Sequence, residues 1–252
     1  MVIIFKKAGL VAILIIMFTM ITIGVMIKTA PAASKNVKID KNSVIVIDAG
    51  HGGADGGALS SSGISEKEYN LAIAKKLETL FKKFKIKTIM TRVGDDITLS
   101  YPEDQTPLER KRADLVFRKE LPKKTKADLL LTIHMNKFAN SSICGAQVFY
   151  DKKFPQSEKI ALAIQKEFTH VLDPNNKRQA KPVDSSIYLL KNPHVPSVLI
   201  ECGFLSNPQE EAKLQSKKYQ EKVARCIYSG IVKYFETADD TSKKTTIVFA
   251  PF

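Results

Sequence analysis

The stretch Val44-Ile45-Val46-Ile47-Asp48-Ala49-Gly50-His51-Gly52-Gly53 decides the fold. Its first four residues form an apolar run typical of a buried strand, and the run breaks into glycines around a histidine. Open α/β sheets place their functional groups where strands end in this way, because a rigid element holds the side chain and small neighbours leave room around it. The stretch therefore predicts an α/β fold with His51 in a functional site.

Two further ionisable residues have the same setting. His134 closes the apolar run 128–133, and Glu201 closes the run 196–200. The ends of parallel strands lie side by side at one edge of a sheet. We therefore expect His51, His134 and Glu201 to lie close together.

The rest of the pattern alternates helices and strands, which predicts a single α/β domain. Helices are expected near 66–84, 108–119, 157–171 and 219–235, and strands near 44–47, 86–91, 128–133, 146–150, 186–190 and 197–200.

The N-terminus predicts export. Residues 8–27 carry no charge and are bracketed by Lys6-Lys7 and Lys28, which is long enough for a membrane-spanning helix. Ala30-Pro31-Ala32-Ala33 offers small residues like a signal-peptidase site, so cleavage stays open, although we favour an uncleaved anchor. We thus divide the chain into an anchor or signal segment (1–28), a linker (29–42), a catalytic domain (43–236) and a polar C-terminal tail (237–252).

Composition narrows the function classes. The net charge of +13 is spread along the 252 residues rather than gathered in one basic stripe, so an anionic envelope surface is a better partner than nucleic acid. The glycine loop lacks the Lys-Ser/Thr ending of a phosphate-binding loop. Cys144, Cys202 and Cys226 show no paired spacing, which favours neither a disulfide framework nor a structural zinc knuckle.

Two histidines on strand ends need a third ligand to hold a catalytic zinc ion, and a carboxylate is the natural complement. Ser65 and Glu68 have the spacing of a capping box, which assigns Glu68 a backbone role and leaves Glu66 free. Glu66 is equally well explained as an acid favoured by the helix dipole. Glu201 lies between apolar neighbours and suits a buried carboxylate that transfers protons during hydrolysis.

Two alternatives stay open. Cys202 as nucleophile with His134 as base would make the chain a cysteine peptidase of the cell wall, but it leaves His51 and Glu66 unexplained. A non-catalytic envelope-binding module with a structural zinc ion would need a fourth protein ligand. His170 and His194 are expected at the surface or in packing, not at the metal.

Several motifs together resemble the zinc-dependent N-acetylmuramoyl-L-alanine amidases that have a Gly-His-Gly-Gly loop. The resemblance spans about residues 43–236 and rests on the stretches 48–53, 66–71, 91–92, 133–136, 145–146 and 201–207. Ala49 and Met135 depart from the family pattern at backbone or packing positions.

The resemblance implies one zinc ion bound by His51, Glu66 and His134, with Glu201 as the catalytic residue. It further implies a three-layer α/β sandwich around a mixed, mainly parallel sheet, and peptidoglycan as the substrate. The segments 188–192 and 219–224 resemble the small amidases of the spore cortex; vegetative cell separation is the alternative role. The sequence leaves open whether an accessory protein completes the site.

Overall fold

A computed structural model of the chain describes residues 40–95, 105–184 and 186–244. In this part the six strands are β1 (Val44–Ala49), β2 (Lys87–Met90), β3 (Leu129–Asn136), β4 (Gln147–Tyr150), β5 (Lys181–Pro182) and β6 (Ser197–Phe204). The five α-helices are α1 (Glu66–Lys83), α2 (Pro107–Lys124), α3 (Pro155–Glu167), α4 (Pro208–Gln215) and α5 (Lys217–Lys244). A π-helical turn (Phe168–Leu172) extends α3, and a 3-10 turn (Tyr188–Leu190) precedes β6.

The strands form one mixed sheet in the order β2-β1-β3-β6-β4-β5. The pairs β1–β2, β1–β3 and β3–β6 are parallel, β4 runs antiparallel to β6, and β5 pairs parallel with β4. Parallel neighbours require crossovers, and the helices that supply them cover the sheet. The predicted α/β class with a mixed, mainly parallel sheet is confirmed.

Side chains alternate between the two faces of the sheet and so create two different layers. Ile45, Ile47, Leu131 and Ile200 belong to the main core together with apolar residues of α1, α3 and α5. Val46 and Leu130 form a smaller cluster on the opposite face with Leu121 of α2. The sheet is thus the middle of three layers, with α2 on the face opposite the main core.

The structure corrects several predicted boundaries. β3 and β6 continue beyond His134 and Glu201, so both residues lie within strands rather than at their ends. Each of these central strands has neighbours on both sides, which keeps its backbone paired. The strand predicted near 186–190 is wrong: residues 188–190 form a 3-10 turn, and the short β5 lies earlier.

The sequence prediction also missed α4, although its start has a local pattern. Asn207 accepts hydrogen bonds from the N–H groups of Gln209 and Glu210, and Pro208 follows it. Asn at the N-cap with Pro at the first helical position is a common helix start. The predicted capping box at Ser65 is wrong, because the Ser65 side chain makes no capping hydrogen bond to α1.

The ends of the chain are only partly covered. α5 continues to Lys244, so the start of the predicted polar tail at residue 237 is helical. Among the residues described, no helix combines the length and apolar character needed to cross a membrane. The predicted anchor at 8–27 and most of the linker lie outside the described residues.

Candidate metal centre and catalytic carboxylate

Three elements bring a His-Glu-His group together. His51 lies two residues beyond β1, Glu66 is the first residue of α1, and His134 is in β3. One potential ligand atom from each side chain lies within 4.8 Å of the other two. Among the described residues, this is the one group of three or more His, Cys, Asp or Glu side chains whose spacing suits a metal ion. The structure thus brings together the three residues that the sequence analysis named as ligands.

The backbone that presents His51 is held by two buried arginines. Arg118 donates to the carbonyl oxygens of Ala49 and His51 at 2.7 and 2.6 Å. Arg92 donates to the carbonyl oxygens of Ala49 and Gly50 at 2.9 and 3.2 Å. These bonds satisfy carbonyl groups that the end of β1 leaves unpaired, and they fix a loop in which His51 has a left-handed φ of 62°.

The charge of Arg118 is matched beneath the site by two buried carboxylates, those of Asp48 and Asp114, and its Nε lies 2.8 Å from Asp114 Oδ2. Its Nη1 lies 2.7 Å from Asp48 Oδ1, and both side chains are almost fully buried. Burial opposes ionisation of Asp48, but Arg118 and the hydroxyl group of Thr132 outweigh it and lower the pKa of the carboxyl group. The pairing of Asp48 with Arg118 is not predictable from a local pattern, since 70 residues separate the two along the chain.

Gly50 provides the space into which the His134 ring fits. A Cβ atom built on Gly50 would lie 2.2 Å from His134 Nε2 and 2.3 Å from Cε1. No side chain can occupy that position without displacing the ring. The glycine of the Gly-His pair therefore has a steric role in the site.

Glu66 is oriented through both carboxylate oxygens. Oε1 accepts the N–H of Met135 at 3.0 Å and lies 2.9 Å from His134 Nδ1. Oε2 accepts the N–H of Ala58 at 3.0 Å and lies 3.2 Å from His51 Nε2. Burial would raise the pKa of Glu66, but the contacts with the two imidazoles outweigh it and hold the pKa well below its usual range. An ionised carboxylate is the form that binds a metal.

Asp55 orients His51 from the other side. His51 Nδ1 lies 2.9 Å from Asp55 Oδ2, which leaves Nε2 facing Glu66. Burial would lower the pKa of His51, but the carboxylates of Asp55 and Glu66 raise it to about 9. A carboxylate behind a ligand histidine fixes the ring and the ligating nitrogen. Asp55 was not among the predicted site residues; its position four residues after His51 in a glycine-rich loop is the local pattern that indicates it.

Glu201 lies beside this cluster on the same face of the sheet. It is the register partner of His134 on β3 and of Gln147 on β4. Its Oε2 is buried and has no hydrogen-bond partner among the described residues. Burial raises the pKa of Glu201 to about 7, with the Glu66 charge adding to the rise and His134 opposing it. A carboxyl group with a pKa near neutrality can both accept and donate a proton at physiological pH.

The other candidate residues lie elsewhere. Cys202 is fully buried in the core on the opposite face, and burial raises the pKa of its thiol well above the usual range. Glu201 therefore faces the site, whereas the thiol of Cys202 points to the opposite face. This argues against the cysteine peptidase alternative. His170 is exposed next to Lys166, and His194 pairs with Glu120 at 2.8 Å. Neither lies at the His-Glu-His group, so neither of these histidines supplies the fourth ligand that a structural zinc site would need.

The His-Glu-His group fits a catalytic zinc site in its donor chemistry. Zinc enzymes use three nitrogen or oxygen ligands from protein and keep one position for water or substrate. Two imidazoles, one ionised carboxylate and a buried neighbouring carboxyl group meet that description. Such a constellation supports metal-assisted hydrolysis of an amide or ester.

Comparisons with known proteins agree with this geometry. The family described as N-acetylmuramoyl-L-alanine amidase matches residues 45–233. The germination-specific N-acetylmuramoyl-L-alanine amidase of Bacillus subtilis is 40% identical over 198 residues, which cover 78% of this chain and 81% of that protein.

Solved structures give the same result. The CwlD amidase of Clostridioides difficile, solved in complex with the GerS lipoprotein, is similar with a TM-score of 0.75 and 43% identity, covering 78% of this chain and all of that one. The catalytic domain of the amidase CwlV from Paenibacillus polymyxa has a TM-score of 0.64 and 30% identity over 77% of this chain and 98% of its own. The six-stranded sheet is therefore the fold of these amidases.

Proposed function

Because the chain belongs to the N-acetylmuramoyl-L-alanine amidase family, we propose that it hydrolyses the amide between N-acetylmuramic acid and L-alanine with one zinc ion held by His51, Glu66 and His134. The observation that supports the zinc site is the approach of three ligand atoms to within 4.8 Å of one another. These atoms come from residues 15 to 83 positions apart, on a loop, a helix and a strand. Chance clustering of exposed acids does not explain a group in which Glu66 is buried and both histidines are half-buried.

Glu201 is the proton carrier in this proposal. A bound zinc ion would supply Lewis acidity, polarising the scissile carbonyl group and lowering the pKa of water. Ionised Glu201 accepts a proton from the attacking water and later donates it to the leaving amino group of L-alanine. Its position as the register partner of His134 on the neighbouring strand supports a role beside the ligands rather than as one of them.

Asp55, Arg92 and Arg118 support the ligands rather than the reaction. Asp55 holds the His51 ring, and the two arginines hold the backbone carbonyls around it. Ligand groups that are positioned in advance need less reorganisation when the metal and substrate bind. Substitution of any of these three residues is expected to lower the zinc affinity more than the rate of the chemical step in the zinc-loaded enzyme.

The spore cortex is the proposed place of action, with the enzyme exported and tethered by its N-terminal segment. The similarity to a germination-specific amidase supports the cortex role, and the uncharged run 8–27 supports the tether. The similar amidase solved with the GerS lipoprotein makes an envelope lipoprotein a candidate accessory partner. Vegetative cell separation stays the alternative role.

Digestion of purified peptidoglycan by the full-length protein tests the activity. We expect zinc-dependent release of stem peptides that begin with free L-alanine, identified by mass spectrometry of the products. His134→Ala should lose both zinc and activity, whereas His170→Ala, an exposed histidine outside the cluster, should keep both. Cleavage at a different bond, or activity that survives complete removal of zinc, would contradict the proposal.

A further inference from the structure

Arg178 is a cation at the edge of the site for which the chemistry above has no task. It lies on the segment between the π-helical turn and β5, and it is half-buried. Its Nε donates to the carbonyl oxygen of Cys144 at 3.1 Å, and the guanidinium carbon lies 4.9 Å from the centre of the Phe204 ring. Stacking on a buried ring and one directed hydrogen bond together fix the plane of the guanidinium group.

The backbone around Arg178 is shaped to hold it. Asn176 accepts the N–H of Arg178 at 2.9 Å and donates to the carbonyl oxygen of Ala146 at 2.8 Å. Gly145, with φ of 99°, faces both side chains: a Cβ there would lie 2.5 Å from Asn176 Oδ1 and 3.1 Å from Arg178 Cγ. The guanidinium group is therefore positioned before any ligand arrives.

Its position is in line with the catalytic groups. His134, Glu201 and Gln147 are register partners on three adjacent strands, so their side chains form one row on the same face of the sheet. Arg178 Nη1 lies 3.4 Å from Gln147 Oε1 at the end of that row. With strands about 4.8 Å apart, the guanidinium lies on the order of 10 Å from the metal ligand His134.

Within the described residues, no carboxylate lies at ion-pair distance from Arg178. Its contacts there go to the carbonyl oxygen of Cys144, the amide oxygen of Gln147 and the ring of Phe204, all of which are neutral. Its Nη2 likewise has no hydrogen-bond partner in that part of the chain. A planar, fixed guanidinium with one free edge matches a carboxylate through two parallel hydrogen bonds.

We propose that Arg178 binds a free carboxylate on the peptide part of the substrate; this inference rests on the proposed amidase function. The carboxyl group of muramic acid is consumed in the scissile amide, so the free carboxylates near that bond belong to the stem peptide. The peptide then runs from the metal ligands across Glu201 and Gln147 towards β5. Arg178 is accordingly a substrate-binding residue that selects and orients the stem.

The test compares one peptidoglycan preparation before and after its peptide carboxyl groups are converted to amides with carbodiimide and ammonia. The full-length wild-type protein with added zinc should have a higher kcat/KM on the untreated material than on the amidated material. Arg178→Gln should lower kcat/KM on untreated material about 10- to 100-fold, as expected for losing hydrogen bonds between charged groups, and should leave the rate on amidated material unchanged. Arg225→Gln, which removes an exposed arginine of α5, is the matched control for net charge.

Each outcome has a distinct meaning. Equal losses for Arg178→Gln on both materials would show that Arg178 only supports the fold, and equal wild-type rates on both would show that no carboxylate is recognised; either result overturns the inference. A loss of the same size in Arg225→Gln would assign the preference to overall charge and overturn it as well. A wild-type protein that cleaves neither material overturns the proposed function, and the inference with it.

Discussion

Replacing Gly50 with alanine should weaken zinc binding at the proposed site, although Gly50 itself offers no ligand atom. The new Cβ atom would lie 2.2 Å from His134 Nε2, whereas ordinary contact begins at 3.4 Å. The ring must therefore shift by more than 1 Å unless the backbone yields. The backbone is fixed, because the Gly50 carbonyl accepts from Asn70 and Arg92, and its N–H donates to the Ile133 carbonyl at 3.0 Å.

A shift of that size is large for a metal ligand. Zinc sites tolerate ligand distances within about 0.2 Å of their ideal values. Changes that misplace a ligand through its surroundings typically weaken metal binding about 10- to 100-fold, and we expect Gly50→Ala to reach at least the upper end of this range. Backbone conformation adds nothing to the effect, since Gly50 is not among the residues with positive φ.

The assay is zinc content by elemental mass spectrometry, together with the Kd measured by competition with a chelator on the full-length protein. Gly94→Ala is the matched control, because a Cβ atom at Gly94 meets nothing within 4 Å. Circular dichroism verifies that both variants are folded. Wild-type zinc affinity in Gly50→Ala, or an equal loss in Gly94→Ala, would refute the steric argument.

Three further predictions concern the site and the network beneath it. Glu201→Gln should keep bound zinc but lower kcat on peptidoglycan by about 100-fold or more, because the amide cannot accept a proton; unimpaired turnover would remove Glu201 from the mechanism. Asp48→Asn should lower the free energy of unfolding by about 1.5–3 kcal/mol in urea titrations, because Arg118 loses one of its two buried carboxylate partners and keeps the other, Asp114. A loss under about 1 kcal/mol, the size typical of an exposed pair, would contradict that account. Thiol alkylation of the folded enzyme should spare activity while chelation abolishes it, since Cys202 is fully buried; the reverse result would restore the cysteine peptidase alternative.

Much of the fold was predictable because the relevant information is local. The apolar runs that became β1, β3 and β6 are short, rich in branched side chains and bounded by glycine or polar residues, which identifies buried strands without any partner. Helical spacing identified α1 and α5 in the same way. The predictions failed at residues 186–190 and at α4. These segments are too short for a helical repeat to be distinguished from the alternation of a strand.

The sequence by itself determined the kinds of groups at the site: histidines and carboxylates follow or end apolar runs, with small residues beside them. Only the tertiary structure decided how these groups meet. The Asp55–His51 contact, the hold of Arg92 and Arg118 on the His51 loop, and the row from His134 through Glu201 and Gln147 depend on strand register and helix placement. Register is set by pairing between segments far apart in the chain, and no local pattern records it.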